Sequence, residues 1–143
     1  MGTIKRHANW PFAEMVLSLV LPGADFFGPD RIPGIRPEDW IPFDVEDRDS
    51  AEIERDLLSH CSGLRGPVVV VNGTSFDADQ GPYFVDAAAL PGFVDTFDVA
   101  VRDYFVNGSV FLISPFTGQV VLVHEDGFLA KVVGNAIGSW PES

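Results

Sequence analysis

Four consecutive valines constrain this chain more than any other feature. Pro67-Val-Val-Val-Val71 is bounded by a proline on one side and by Asn72-Gly73 on the other. A strand points successive side chains to opposite faces, so an unbroken β-branched run implies burial on both faces and predicts a central strand. Such a strand needs apolar cover, and the composition can supply it: 46% hydrophobic and 12% aromatic residues in a chain of 143. That is the size of one domain with a real core, and it excludes a wholly disordered chain.

The elements around the run can be read in outline. Phe12–Leu21 is apolar and is stopped by Pro22-Gly23, a short buried helix or strand. A proline- and glycine-punctuated segment follows. It carries Phe26, Phe27, Trp40, Ile41 and Phe43, which are expected to wrap onto the core rather than stay in water. Asp49-Ser-Ala-Glu52 has the pattern of a helix start, an N-cap with an acid three positions on. Ile53, Leu57, Leu58, Cys61 and Leu64 then recur at helical spacing, with Gly63 and Gly66 to end the helix. Residues 72–83 read as a loop. A second helix is expected over about 91–105, with Val94, Phe97, Val101, Tyr104 and Phe105 on one face and an Asp98–Arg102 pair on the other. The tail reads as a three-strand meander, Gly108–Ser114, Gln119–His124 and Phe128–Val133, turning at Pro115-Phe-Thr-Gly118 and Glu125-Asp-Gly127. The fold class expected is α+β: a single domain, 1–143, with helices packed on a mainly antiparallel sheet.

Charge narrows the partners. The chain has 21 acidic and 9 basic residues, a formal net charge of −12. A protein this acidic is repelled by nucleic-acid phosphates and by anionic membrane surfaces, so neither is expected as a partner; a cationic ligand or a basic protein is. More than half of the excess lies in residues 38–56, which hold nine acidic and two basic side chains. A single cysteine, Cys61, excludes an internal disulfide. Lys5 and Arg6 ahead of an apolar run imitate a signal peptide, but Pro11, Glu14 and the lack of a small-x-small site after Leu21 break the imitation, and no run reaches the ~20 apolar residues of a membrane span. The expected location is cytoplasmic.

Catalytic and metal-binding chemistry finds little support. His60 and Cys61, adjacent on a helix, point about 100° apart and do not serve one ion. Asp77-x-Asp79-x-Gly81 begins like a calcium loop but lacks the later oxygen ligands, with Phe84 and Ala88 where they belong. Neither a nucleophile elbow, a C-x-x-C pair nor a phosphate loop is present. His124-Glu125-Asp126 is the one compact cluster with acid–base potential; it ends a strand beside a tight turn, and its first two members alternate across the sheet. No catalytic residue, cofactor or metal is therefore expected. The acidic stretch remains, with Asp44, Glu46, Asp47, Asp49, Glu52 and Asp56 beside Trp40. Carboxylates that steer a basic protein, with an aromatic anchor, make a partner-binding site.

The carboxy half also resembles a family. A helix with an aromatic end (Phe97–Phe105), Asn107-Gly108, the strand Val110-Phe-Leu-Ile-Ser114, a proline-containing turn, and Val120–Val123 running into His124-Glu125 are similar to small bacterial immunity proteins of contact-dependent and other polymorphic-toxin systems. The resemblance spans about residues 93–133. It implies a non-enzymatic inhibitor that binds a cognate toxin, often a basic nuclease, and blocks its active site. A small enzyme built on His124 and nearby carboxylates, and a structural or adaptor subunit packing its 12–43 segment on a permanent partner, are the alternatives.

Overall fold

The valine run lies where its pattern demands. In the computed structural model, which describes residues 2–28, 32–76 and 81–138 (of residues 2–9 the backbone alone), the elements in chain order are helix α1 (Gly2–Val20), strand β1 (Ile41–Pro42), helix α2 (Ser50–Ser59), strands β2 (Pro67–Val71) and β3 (Tyr83–Asp86), helix α3 (Leu90–Val101), and strands β4 (Val110–Ser114), β5 (Gln119–His124) and β6 (Phe128–Val133). The strands form one sheet in the order β1-β6-β5-β4-β2-β3, and each neighbouring pair is antiparallel. This is the expected α+β fold, with the three-strand meander in place.

Alternation along the strands sorts the core into two. Val68, Val70, Val110, Leu112, Val121 and Val123 face α2 and α3, packing with Ile53, Leu57, Leu90, Val94 and Phe97. Val69, Val71, Phe111, Ile113, Val120 and Leu122 face the other way, onto Ala13, Val16, Leu17 and Val20 of α1. The spacing 13, 16, 17, 20 is a helical stripe, which decides helix over strand for the first apolar run. The helix passes through Pro11 back to Gly2. Phe26 and Ile32 from the irregular segment close the α1 side, and Phe43 closes the other. Of the residues expected to wrap onto the core, Phe26 and Phe43 do and Trp40 packs against it, whereas Phe27 and Ile41 are exposed.

The carbonyl end of α1 is closed by the strand leaving the sheet. The Asn135 N–H donates to Val20 O at 2.8 Å, and the Asn135 side chain reaches Leu19 O at 3.3 Å. Gly134 has to be glycine here, since a Cβ would collide with the Val20 carbonyl oxygen.

Several expectations need correcting. Helix α2 stops at Ser59 with His60 as its cap, so Cys61 and Leu64 are buried from the turn beyond the helix rather than from its stripe. Helix α3 stops at Val101; Arg102 takes a left-handed conformation, φ 64°, and its N–H caps Asp98 O. Phe105 is buried from the following loop, whereas Tyr104 is 64% exposed and belongs to no apolar face. Among the described residues no Asp98–Arg102 ion pair forms, because Arg102 has left the helix that would align the two. Finally, the segment read as loop ends in β3, and β1 pairs with β6; both are short edge strands with half their residues exposed or more. Their pairing with a long neighbour, not their own pattern, makes them strands. Asp77, Asp79 and the side chain of His7 lie outside the described residues. Among the described residues no helix is long and apolar enough to cross a membrane.

Candidate functional site

The acidic stretch folds into a tight turn followed by α2, and much of its charge is used locally. The Asp44 carboxylate accepts the N–H groups of Glu46 and Asp47 at 2.9 and 3.0 Å. Those two bonds, the Asp47 one foremost, hold its carboxyl below the usual range, and the nearby Arg48 charge adds a smaller pull. The Arg48 guanidinium lies over the Phe43 ring, 5.3 Å from its centre. It donates to Asp44 O at 2.7 and 3.1 Å and to the Asp56 carboxylate at 2.9 Å. Asp49 caps α2, accepting the Glu52 N–H at 2.9 Å, as its spacing predicts. Asp44, Asp49 and Asp56 are thus joined into the frame of the turn and helix. The side chains of Glu46, Asp47 and Glu52 are exposed.

Trp40 is placed elsewhere. It precedes β1 and packs with the α1-side core, whereas Phe43, after β1, packs on the α2 side. Its ring meets His124 edge-on at 5.8 Å. With Pro37, Asp126 and Phe128 these two side chains surround a hollow of about 350 Å³. Trp40 and the carboxylates therefore do not share one surface. His124 itself serves its turn: Nδ1 accepts the Asp126 N–H at 3.0 Å and its carbonyl accepts the Gly127 N–H at 3.0 Å.

The structure assembles a second set of carboxylates that the sequence scatters. Glu54 of α2 stands opposite Asp95 and Asp98 of α3. Its pKa is raised above 4.5, first by burial and then by the charges of Asp98 and Asp95. Among the described residues its carboxylate has no ion pair and no hydrogen bond. Arg55, next along α2, lines the inter-helix cleft with Glu54 and Asp95 but is in no ion pair with either. Two clefts meet at Glu54. One, about 430 Å³, runs between the helices over Leu58, Pro91 and Val94 to Asp95. The other, about 450 Å³, lies between α2 and the segment after α3, floored by Val45, Ile53 and Val106 and walled by Tyr104. Among the described residues no three His, Cys, Asp or Glu side chains converge closely enough to hold a metal ion.

A linear reading passes over Asp95 and misplaces Asp98 and Tyr104, because each is an ordinary surface residue in its own segment. The spacing of Asp95 and Asp98, i and i+3, puts them on one face of α3; only the packing of α2 against α3 sets Glu54 opposite them. No family model matches the chain, and comparison with curated proteins and with solved structures gave no match.

Proposed function

We propose that this chain is a non-enzymatic inhibitor that binds a basic protein through the outer face of α2 and α3, in the manner of the bacterial immunity proteins its carboxy half resembles. The observation that carries the proposal is Glu54, which lines one cleft with Asp95 and has no ion-pair partner among the described residues. Removing a charge from this face relieves repulsion, and so does bringing a cation to it; a basic partner supplies the cation. Glu46 and Asp47 in the turn before α2, and Glu52 in its first helical turn, add exposed negative charge nearby. Carboxylates in this arrangement steer a basic enzyme into contact and occupy positions that its anionic substrate would take.

The test begins with capture on the immobilised chain from lysate of the producing cell at low salt, followed by elution with rising salt. The expected product is a basic protein whose own activity is abolished at one equivalent of this chain. Reversing Asp95 and Asp98 to lysine should then slow association on the order of tenfold at low salt while dissociation changes little. Association that ignores both reversals, or a captured protein that keeps its full activity in the complex, refutes the proposal. Asp47→Lys and Glu52→Lys should act in the same direction.

A further inference from the structure

We infer that the cleft between α2 and Tyr104 receives an arginine side chain of the protein partner. This rests on the inhibitor reading and adds to it the anchor point. Three features converge on the assignment. The floor is apolar, built from Val45, Ile53 and Val106, and suits the methylene stem of a long cationic side chain. One wall is the Tyr104 ring, 64% exposed. It is held in the turn by the left-handed Arg102 and by its own N–H, which donates to the Asp103 carboxylate at 2.8 Å. An aromatic face left open to water offers a stacking surface to a guanidinium. The rim carries Glu54, with Asp95 and Asp98 behind it.

The other charges at the cleft do not compete for that role. Arg48 lines it, yet its guanidinium is committed to Asp56 and to Asp44 O. Asp49 is occupied as the α2 cap, where it offsets the positive end of the helix. The carboxylates stand too far apart to cage a metal ion but near enough to feel one another, a match for a broad, planar cation rather than a point charge. Arginine fits better than lysine on this ground: its charge is spread over a plane that stacks on tyrosine while its edge donates to a carboxylate.

The experiment is an NMR titration of the full chain with N-acetyl-arginine amide, and with its lysine and citrulline counterparts. Saturable shifts are expected for arginine at Tyr104, Ile53 and Val106, with binding at least fivefold weaker for lysine and lost for the uncharged citrulline. Tyr104→Ala and Glu54→Gln should each weaken arginine at least fivefold. Both side chains sit at the surface of the cleft, and an unchanged amide spectrum elsewhere confirms that the fold survives. Equal binding of citrulline or lysine overturns the assignment, as do shifts confined to the α2–α3 groove or indifference to Tyr104→Ala. The two proposals fail separately. A partner whose association slows on reversal of Asp95 and Asp98, but which Tyr104→Ala leaves untouched, sinks the arginine cleft alone. An arginine-binding cleft on a chain that captures no basic protein sinks the inhibitor reading alone.

Discussion

Asn72→Ala should destabilise this protein by about 3–4 kcal/mol, far more than a surface loop asparagine ordinarily would. Asn72 follows the last valine of β2 and is fully buried, at 0% exposure. Its amide donates to Phe105 O at 2.8 Å, and its Oδ1 accepts from the Thr74 N–H at 3.0 Å and the Thr74 hydroxyl at 2.6 Å. The Thr74 hydroxyl continues to the Tyr83 OH at 2.8 Å. Alanine removes three hydrogen bonds, each contributing about 1 kcal/mol net, and leaves the buried Phe105 carbonyl and Thr74 N–H without partners. Thr74→Val removes the hydroxyl but keeps the N–H bond to Asn72, and should cost about 1–1.5 kcal/mol. Urea unfolding reads both: with a slope of about 2 kcal/mol/M, the Asn72→Ala midpoint should fall by roughly 1.5–2 M. Because the Phe105 carbonyl lies beside Tyr104, the variant should also loosen the tyrosine wall of the cleft. A loss below 1 kcal/mol, or equal losses for the two variants, would refute the view that this network ties the end of β2 to the segment after α3.

Two further outcomes test the titrating groups. Burial first, and the charges of Asp98 and Asp95 second, raise Glu54 above 4.5, so its contribution is complete at low pH and is lost as pH rises through that raised value; Glu54→Gln should therefore melt higher than the parent at pH 7 and level with it below pH ~4, and a parent that is the more stable of the two at pH 7 contradicts the assignment. Burial pushes the Cys61 thiol up to about 12, against a smaller lowering by Lys131, and its Sγ lies 3.3 Å from Leu57 O; alkylation by iodoacetamide at pH 8 should run at least about a hundredfold slower in the native protein than in urea, and equal rates would show the thiol to be accessible.

What could be read along the chain follows from periodicity and from local chemistry. The valine run, the Asp49 cap and the three strands of the meander are each determined by neighbours a few residues away, through side-chain alternation and a hydrogen bond spanning three positions, whereas the first apolar run is open between helix and strand until its 13-16-17-20 stripe meets the sheet. The same locality explains the overlong helices. Apolar residues at the right spacing continue past Ser59 and Val101, but Cys61, Leu64 and Phe105 reach the core from turns, and a left-handed Arg102 ends α3 where no glycine marks the stop.

The candidate site divides along the same line. The abundance of acid in residues 38–56 is plain in the sequence, but three of the chosen carboxylates turn out to hold the turn and helix together, and Trp40 faces the opposite side of the sheet from the rest. Which charges remain without a partner was decided by tertiary structure, since Glu54 meets Asp95 and Asp98 only through the packing of α2 on α3, across some forty residues of chain. The exposure of Tyr104 has the same origin, in the place where α3 ends rather than in any local preference. Sequence by itself determined an acidic α+β chain with a two-faced sheet, because burial pattern and net charge are sums over residues. Only the folded chain determined where that charge stands uncompensated, because electrostatic frustration depends on distances between elements that no local pattern encodes.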